Sequence, residues 1–298
     1  MIIPPGFCQR SVSTKLGRMA YYTADANFPG SVLPEKTLST LVFLHGFGGG
    51  SSAYEWSKVY PAFALDYRVL APDLLGWGRS EHPERNYLAE DYISTITEFL
   101  EKTCTEPVPV VASSLTAALT IRAAIARPDL FKSLILTTPT GLSDFGKDYT
   151  NNFFIQLVKT PILDRLLYSA GIATSGGIRN FLEERQFARP ERVYPEIVEA
   201  YLASAQQPNA EYAALSFVRG DLSFDLALYI PQLQVPTAIV WGKESQFTEA
   251  EVGQRLTSLN PEAVKQFQLL NDCGLTPHLE LPAIAIALIR RFLATLNS

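Results

Sequence analysis

The chain has 298 residues, of which 47% are hydrophobic and 18% charged, and it carries a net charge of −5 at neutral pH. Its 20 prolines and 18 glycines are spread over the whole length, which excludes a collagen, a low-complexity linker and a disordered segment. The acidic balance argues against a nucleic-acid or anionic-membrane partner.

Three widely spaced cysteines, Cys8, Cys104 and Cys273, form no C-x-x-C pair and read as free thiols in a reducing compartment. The start, MIIPPGFCQR, has no basic region followed by an apolar stretch. The longest apolar run, Leu281 to Ile289, falls far short of the roughly twenty residues that cross a bilayer. The expectation is a soluble, cytoplasmic protein without membrane insertion.

Short apolar runs alternate with amphipathic segments through the first half. Leu38–Leu44 reads as a buried strand that stops at His45-Gly46, and Tyr67–Pro72 as a second running into Asp73-Leu74-Leu75-Gly76-Trp77-Gly78. Ala89–Thr103 has apolar residues at helical spacing. Val108–Ala112 is a third strand, and the Ala-rich helix Leu115–Ala126 closes at Arg127-Pro128. Leu134–Thr138 is a fourth. Continuous apolar strands mean a sheet covered on both faces by helices, so the fold class is α/β with a mostly parallel sheet.

After Pro139 the pattern turns helical. Helices are expected at Phe153–Ala170, Ile178–Phe187, Val193–Gln206 and Tyr212–Arg219, before strands resume at Thr237–Trp241 and Phe267–Leu270. Ile284–Leu296 is a final helix. The expected organisation is one α/β core of residues 1–143 and 229–298, interrupted by a helical cap of residues 144–228. There is no internal repeat.

Two motifs carry chemistry. In Val110-Val111-Ala112-Ser113-Ser114-Leu115-Thr116-Ala117, a strand runs directly into a helix. A nucleophile elbow needs small residues two before and two after the nucleophile, because its strained turn brings backbones close together. Ala112 and Thr116 meet that need when Ser114 is the centre, whereas Val111 and Leu115 would flank Ser113. A serine-rich helix N-cap accounts for the same residues. Upstream, His45-Gly46-Phe47-Gly48-Gly49-Gly50 is flexible enough to turn backbone N–H groups towards an anion, but it fails the G-x-G-x-x-G spacing of a dinucleotide loop. Alone it reads equally as a glycine-rich hairpin.

The order of these pieces resembles the α/β-hydrolase superfamily: a strand into HGFGGG, then DLLGWGRS, the small-x-Ser-x-small elbow, a helical insertion and PTAIVWG. The resemblance runs from about Leu38 to Leu296. It is closest to the branch with a helical cap after the family's sixth strand, which includes esterases, lipases, epoxide hydrolases and haloalkane dehalogenases. The last two use an Asp nucleophile, so Ser114 points to the serine-esterase side. The resemblance implies Ser114 as nucleophile and the Phe47 and Leu115 amides as oxyanion-hole donors. His45 then shapes the oxyanion loop.

Two positions depart from the family. It expects an acid four residues beyond the Trp of W-G, where this chain has Ser245. It expects a base after the Gly in a pattern like D-x-G-H-x-x-H-x-E-x-P. Asp272-Cys273-Gly274-Leu275-Thr276-Pro277-His278-Leu279-Glu280-Leu281-Pro282 matches that pattern, except that the base position is Leu275. Leucine accepts no proton, and an oxyanion hole with binding alone leaves roughly 10³–10⁴-fold catalysis over water.

A relocated base would be His278, with Glu244 beside Ser245, or Asp144 after the fourth apolar strand, as its acid. Pro277 disfavours helical geometry at Thr276 and so holds Leu275 and His278 apart. His82 reads as a solvated loop residue. No clustered spacing suggests a metal, and no cofactor motif occurs.

The expectation is a protein with a degenerate triad that is inactive or very weak as an esterase and binds a small apolar ligand. The alternative is an unconventional serine hydrolase of small apolar esters using Ser114 and His278. The sequence assigns no oligomeric state.

Overall fold

Alternate side chains of a strand face opposite ways. In the central strands here both sets are apolar, and they enter two different cores. A computed structural model of the chain describes residues 3–26, 28, 38–146 and 168–296. Its strands are β1 (Phe7–Thr14), β2 (Gly17–Ala24), β3 (Thr40–Leu44), β4 (Arg68–Pro72), β5 (Val108–Ser113), β6 (Phe131–Thr137), β7 (Thr237–Gly242) and β8 (Val264–Leu270). They form one sheet in the order β1-β2-β4-β3-β5-β6-β7-β8. The β1–β2 and β2–β4 pairs are antiparallel, and all the others are parallel.

Val42, Leu44, Val110 and Ala112 enter one core, together with residues of helices α1 (Ala89–Thr103) and α2 (Ser114–Ala126). Leu41, Phe43 and Val111 enter the other, with Ile289 and Phe292 of the last helix (Pro282–Leu296). Strands β3, β5 and β7 are fully buried on both faces, as their continuous apolar runs require. The β1–β2 hairpin lies outside the strands expected from sequence. β1 is an edge strand with one buried side chain, so it lacks the run that marks its neighbours.

Between β6 and β7 lie the helices α3 (Ser175–Phe181), α4 (Pro195–Ala205) and α5 (Ala210–Arg219), close to three of the helices expected there. The chain widens into π-type turns at Tyr168–Ile172 and Leu182–Gln186. The expected helix Phe153–Ala170 falls, through residue 167, outside the described residues. The helical stretch is tied at its base: Phe224 N–H donates to Gly141 O at 2.7 Å, and Leu226 N–H to Asp144 at 2.9 Å. Helices α6 (Ala250–Ser258), α7 (Pro277–Glu280) and α8 (Pro282–Leu296) complete the chain. Among the described residues, no helix is long and apolar enough to cross a membrane.

The parallel strands end on one edge of the sheet. Leu44 pairs with Ala112, so the loop after β3 and the turn after β5 emerge side by side. The chain moves outward from β3 to β4 and then returns to the other side at β5. Such a reversal leaves a crevice beyond the strand ends.

Candidate active site

β5 ends at Ser113 and α2 begins at Ser114 with nothing between them. The reversal is made at Ser114, whose φ of 56° lies in the left-handed region. Holding an L-residue there costs about 1–2 kcal/mol. Ala112 and Thr116 are fully buried on either side, and Ser114 keeps 7% of its surface. The Ser113 side chain makes no capping bond to α2.

The loop after β3 runs beside this turn. A methyl carbon placed at Gly46 would lie 3.4 Å from Ser114 Cβ and 3.5 Å from Ser113 Oγ. His45 Nε2 accepts the Leu74 N–H at 2.9 Å, so its Nδ1 carries the proton and donates to Gly46 O at 2.7 Å. Both ring nitrogens are spent on shaping the loop. Gly50 has φ +99°, and a Cβ there would strike the Tyr201 carbonyl oxygen at 2.1 Å, so only glycine lets α4 pack this closely. Among the described residues, neither the Phe47 nor the Leu115 amide has a hydrogen-bond partner.

The residue that organises this loop is Glu55, which the sequence reading did not name. It lies in the short turn of helix Ala53–Trp56, all four residues of which are buried. Gly46 N–H donates to Glu55 Oε2 at 2.8 Å, and Tyr201 O–H donates to Oε1 at 3.0 Å. Burial works against its charge, but the His278 and His45 rings and the Ser51 hydroxyl outweigh that and hold the carboxyl down at about 2. In the sequence its only mark is an acid between Tyr54 and Trp56, past Ser51-Ser52-Ala53 from the glycine run, which any surface carboxylate could share.

His278 meets this carboxylate. It is fully buried, stacked on Trp56 with centroids 3.8 Å apart, and its Nε2 is 3.6 Å from Glu55 Oε2. That separation is electrostatic contact, too long for a hydrogen bond. Neither ring nitrogen has a hydrogen-bond partner among the described residues, and none joins the ring to Ser114. Burial pushes the ring's pKa down, and the Glu55 carboxylate opposes that shift. Thr276, with φ −121° and ψ 74°, lies outside the helical region, which Pro277 disfavours; α7 starts after it, so Leu275 and His278 share no helical turn.

Ser245 and Leu275, where the resemblance leads one to expect an acid and a base, lie on neighbouring loops. A Cβ at Gly242 would overlap Gly274 O at 1.8 Å, and Glu244 N–H donates to Cys273 O at 3.0 Å. Ser245 and Leu275 are both buried, and Ser245 Oγ has no partner among the described residues. Leu275 N–H donates to Gln186 O at 2.8 Å; Gln186 Nε2 in turn donates to Tyr201 Oη at 3.0 Å. The loop bearing Leu275 is thereby joined through Gln186 and Tyr201 to Glu55.

The two proposed acids sit elsewhere in bonding terms. Exposed Glu244 accepts the Cys273 N–H at 3.0 Å. Buried Asp144 accepts Thr140 O–H at 2.8 Å and the Leu226 and Gly141 amides, and burial raises its pKa. The carboxylate recorded beside His278 is Glu55. His82, expected to be solvated, is half-buried, and burial lowers its pKa to about 4. Among the described residues, no cluster of His, Cys, Asp or Glu is arranged to hold a metal.

The family model described as alpha/beta hydrolase family matches residues 41–287. The 2-hydroxymuconate semialdehyde hydrolase of Pseudomonas sp. strain CF600 is 26% identical over 262 residues, covering 85% of this chain and 86% of that enzyme. Lipase 1 of Psychrobacter immobilis is 25% identical over 277 residues, covering 91% and 79%. Among solved structures, a serine hydrolase involved in carbazole degradation superposes with a TM-score of 0.76 at 19% identity, covering 97% of this chain and 99% of that one.

Proposed function

The chain belongs to the alpha/beta hydrolase family, and on that premise we propose that it binds a small apolar carbonyl compound at Ser114 with little or no turnover. The observation that carries this reading is a serine held at φ 56° with no imidazole bonded to its hydroxyl. Strain of that kind persists where the surroundings hold it for a purpose. The Phe47 and Leu115 amides are the donors for the ligand oxygen.

Apolar side chains lie over the glycine run. Phe181 approaches a Cβ position at Gly48 to 3.5 Å, Ile172 one at Gly49 to 2.6 Å, and Phe247 packs on Phe181 with centroids 5.9 Å apart. Residues 144–228, taken as the cap, supply two of these three. Leu275 and Ser245, at the family's base and acid positions, are the substitutions that make turnover slow. Three free thiols support a reducing, cytoplasmic setting.

A second reading is favoured by the 3.6 Å approach of His278 to Glu55. In it the pair acts as base and acid for Ser114, which hydrolyses small apolar esters. Expected for the binding reading are a heat of binding for 2-decanone, no fluorophosphonate labelling, and p-nitrophenyl butyrate hydrolysis near background. Labelling and turnover that both vanish in Ser114→Ala and in His278→Ala reject it for the second. No binding of 2-decanone and no labelling reject both.

A further inference from the structure

Two of the side chains over the glycine run sit on one short stretch. Ile172 precedes α3 and Phe181 ends it, and α3 passes without a break into the π-type turn Leu182–Gln186. Widened helical turns of this kind recur at functional sites. Ser114 keeps only 7% of its surface, so a ligand that reaches it needs part of the surroundings to move.

Hydrogen bonding singles out the part that can. α4 and α5 are fixed to loops of the sheet: Ser204 O–H donates to Ser51 O at 3.1 Å, Gly78 N–H to Ser204 Oγ at 3.0 Å, and Tyr87 N–H to Ser216 Oγ at 2.9 Å. Among the described residues, no hydrogen bond from residues 175–185 reaches the strands or their loops.

The attachment comes directly after them, on the loop that bears Leu275. Leu275 N–H donates to Gln186 O at 2.8 Å, and Ala188 N–H to Glu280 Oε2 at 2.8 Å. A Cβ at Gly274 would lie 2.5 Å from Gln186 O, so only glycine lets the two segments meet. Further out, Arg189 Nε donates to Asp272 Oδ1 at 2.5 Å and Arg192 Nη1 to Asp272 O at 2.6 Å, while Arg192 also pairs with the Asp272 carboxylate. The Arg189 and Asp272 side chains are 55% and 45% exposed, so these pairs are weak singly and salt screens them.

We propose that residues 172–186 form a lid over the Ser114 pocket, held shut by an ionic clasp of Asp272 with Arg189 and Arg192. This rests on the proposed pocket at Ser114 and not on which ligand fills it. When the clasp opens, the bonds at Gln186 and Ala188 hold the stretch alone. α3 then moves off Gly48 and Gly49 while α4 and α5 stay in place.

The experiment uses the full chain carrying Ser114→Cys. The new thiol is alkylated with N-ethylmaleimide, a neutral reagent, and followed by mass spectrometry in the peptide that contains position 114. Adding Asp272→Asn removes the clasp's negative charge and keeps a residue type that tolerates the φ of 57° found there. Alkylation at 114 is expected to quicken by roughly two- to fivefold, and hydrogen–deuterium exchange of residues 175–186 by a similar factor, with exchange in α4 and α5 unchanged. Raising NaCl from about 0.05 to 0.5 M is expected to quicken alkylation with Asp272 present and to do much less after Asp272→Asn.

Unchanged alkylation, or unchanged exchange of residues 175–186, in folded Asp272→Asn overturns the proposal. Exchange that rises equally in α4 and α5 marks general loosening and overturns it too. Should Asp272→Asn not fold, alkylation indifferent to salt with Asp272 present decides against the clasp. A thiol at 114 that reacts under no condition removes the pocket and the lid with it. Binding of 2-decanone by the native chain is scored separately: its failure removes the carbonyl-binding reading and leaves the lid to the alkylation and exchange results.

Discussion

Glu55 and Gly46 are nine residues apart and joined by one hydrogen bond, from the Gly46 amide to Glu55 Oε2 at 2.8 Å. That bond fixes the His45–Gly46 peptide, one residue before Phe47, whose own amide has no hydrogen-bond partner among the described residues. Through Tyr201 the same carboxylate reaches α4, and through His278 it reaches α7, so three separate stretches of chain meet at one charge.

Truncating this hub should be costly. Glu55→Ala strands the Gly46 N–H and the Tyr201 O–H, each a buried donor whose loss of a partner costs roughly 1–3 kcal/mol. Tyr201→Phe removes only one of these bonds and should cost less. Urea denaturation of the three proteins checks the order; equal midpoints would show that the carboxylate holds nothing.

Stability should depend on pH through two carboxyls with opposite shifts. Glu55 is held at about 2, below its ordinary 4.5, so its contribution is complete above pH 4.5 and is lost as pH falls towards 2. Burial pushes Glu280 up to about 7, despite the Ala188, Gly274 and Thr276 amides and Arg192, so its protonated form favours the fold. That contribution is complete below pH 4.5 and is lost as pH rises through 7. Glu55→Gln should flatten the native curve between pH 2 and 4.5, and Glu280→Gln between 4.5 and 7, as read from denaturation midpoints across that range.

The elbow itself carries a measurable strain. With φ 56° at position 114, Ser114→Gly should be more stable than Ser114→Ala by about 1 kcal/mol, even though glycine loses more chain entropy on folding. Ordinary helix-start behaviour, with alanine the more stable, would mean that the turn relaxes when the hydroxyl is removed.

Restoring proton transfer tests the positional reading of the triad. The double variant Ser245→Asp, Leu275→His should raise p-nitrophenyl butyrate hydrolysis at least tenfold over the native chain, a small part of the roughly 10⁴–10⁶-fold that a complete triad adds to its remnant. A folded, ligand-binding double variant with native-level turnover would place the missing base elsewhere.

Much of the architecture was legible because it follows from local patterns. Thr237–Gly242 and Val108–Ser113 are continuous apolar runs, which only a doubly covered sheet can bury. Ser114 stood out because Ala112 and Thr116 are the small neighbours that a sharp strand-to-helix turn needs. β1 was not legible, since an edge strand facing solvent carries no such run, and β2, which buries Met19 to Thr23, was passed over with it. Glu55 was not legible either. A single acid in a short turn looks like any surface carboxylate until its partners, 146 residues away at Tyr201 and further on at His278, are folded against it.

The amino-acid order by itself determined the layered α/β plan and the direct strand-to-helix junction at Ser113-Ser114, because periodicity and spacing are properties of neighbouring residues. Tertiary structure alone decided which carboxylate faces His278, and that Leu275 is tied through Gln186 and Tyr201 to the loop beside Ser114. A buried charge acquires its state and its partners only from groups brought close in space, and sequence separation says nothing about that distance.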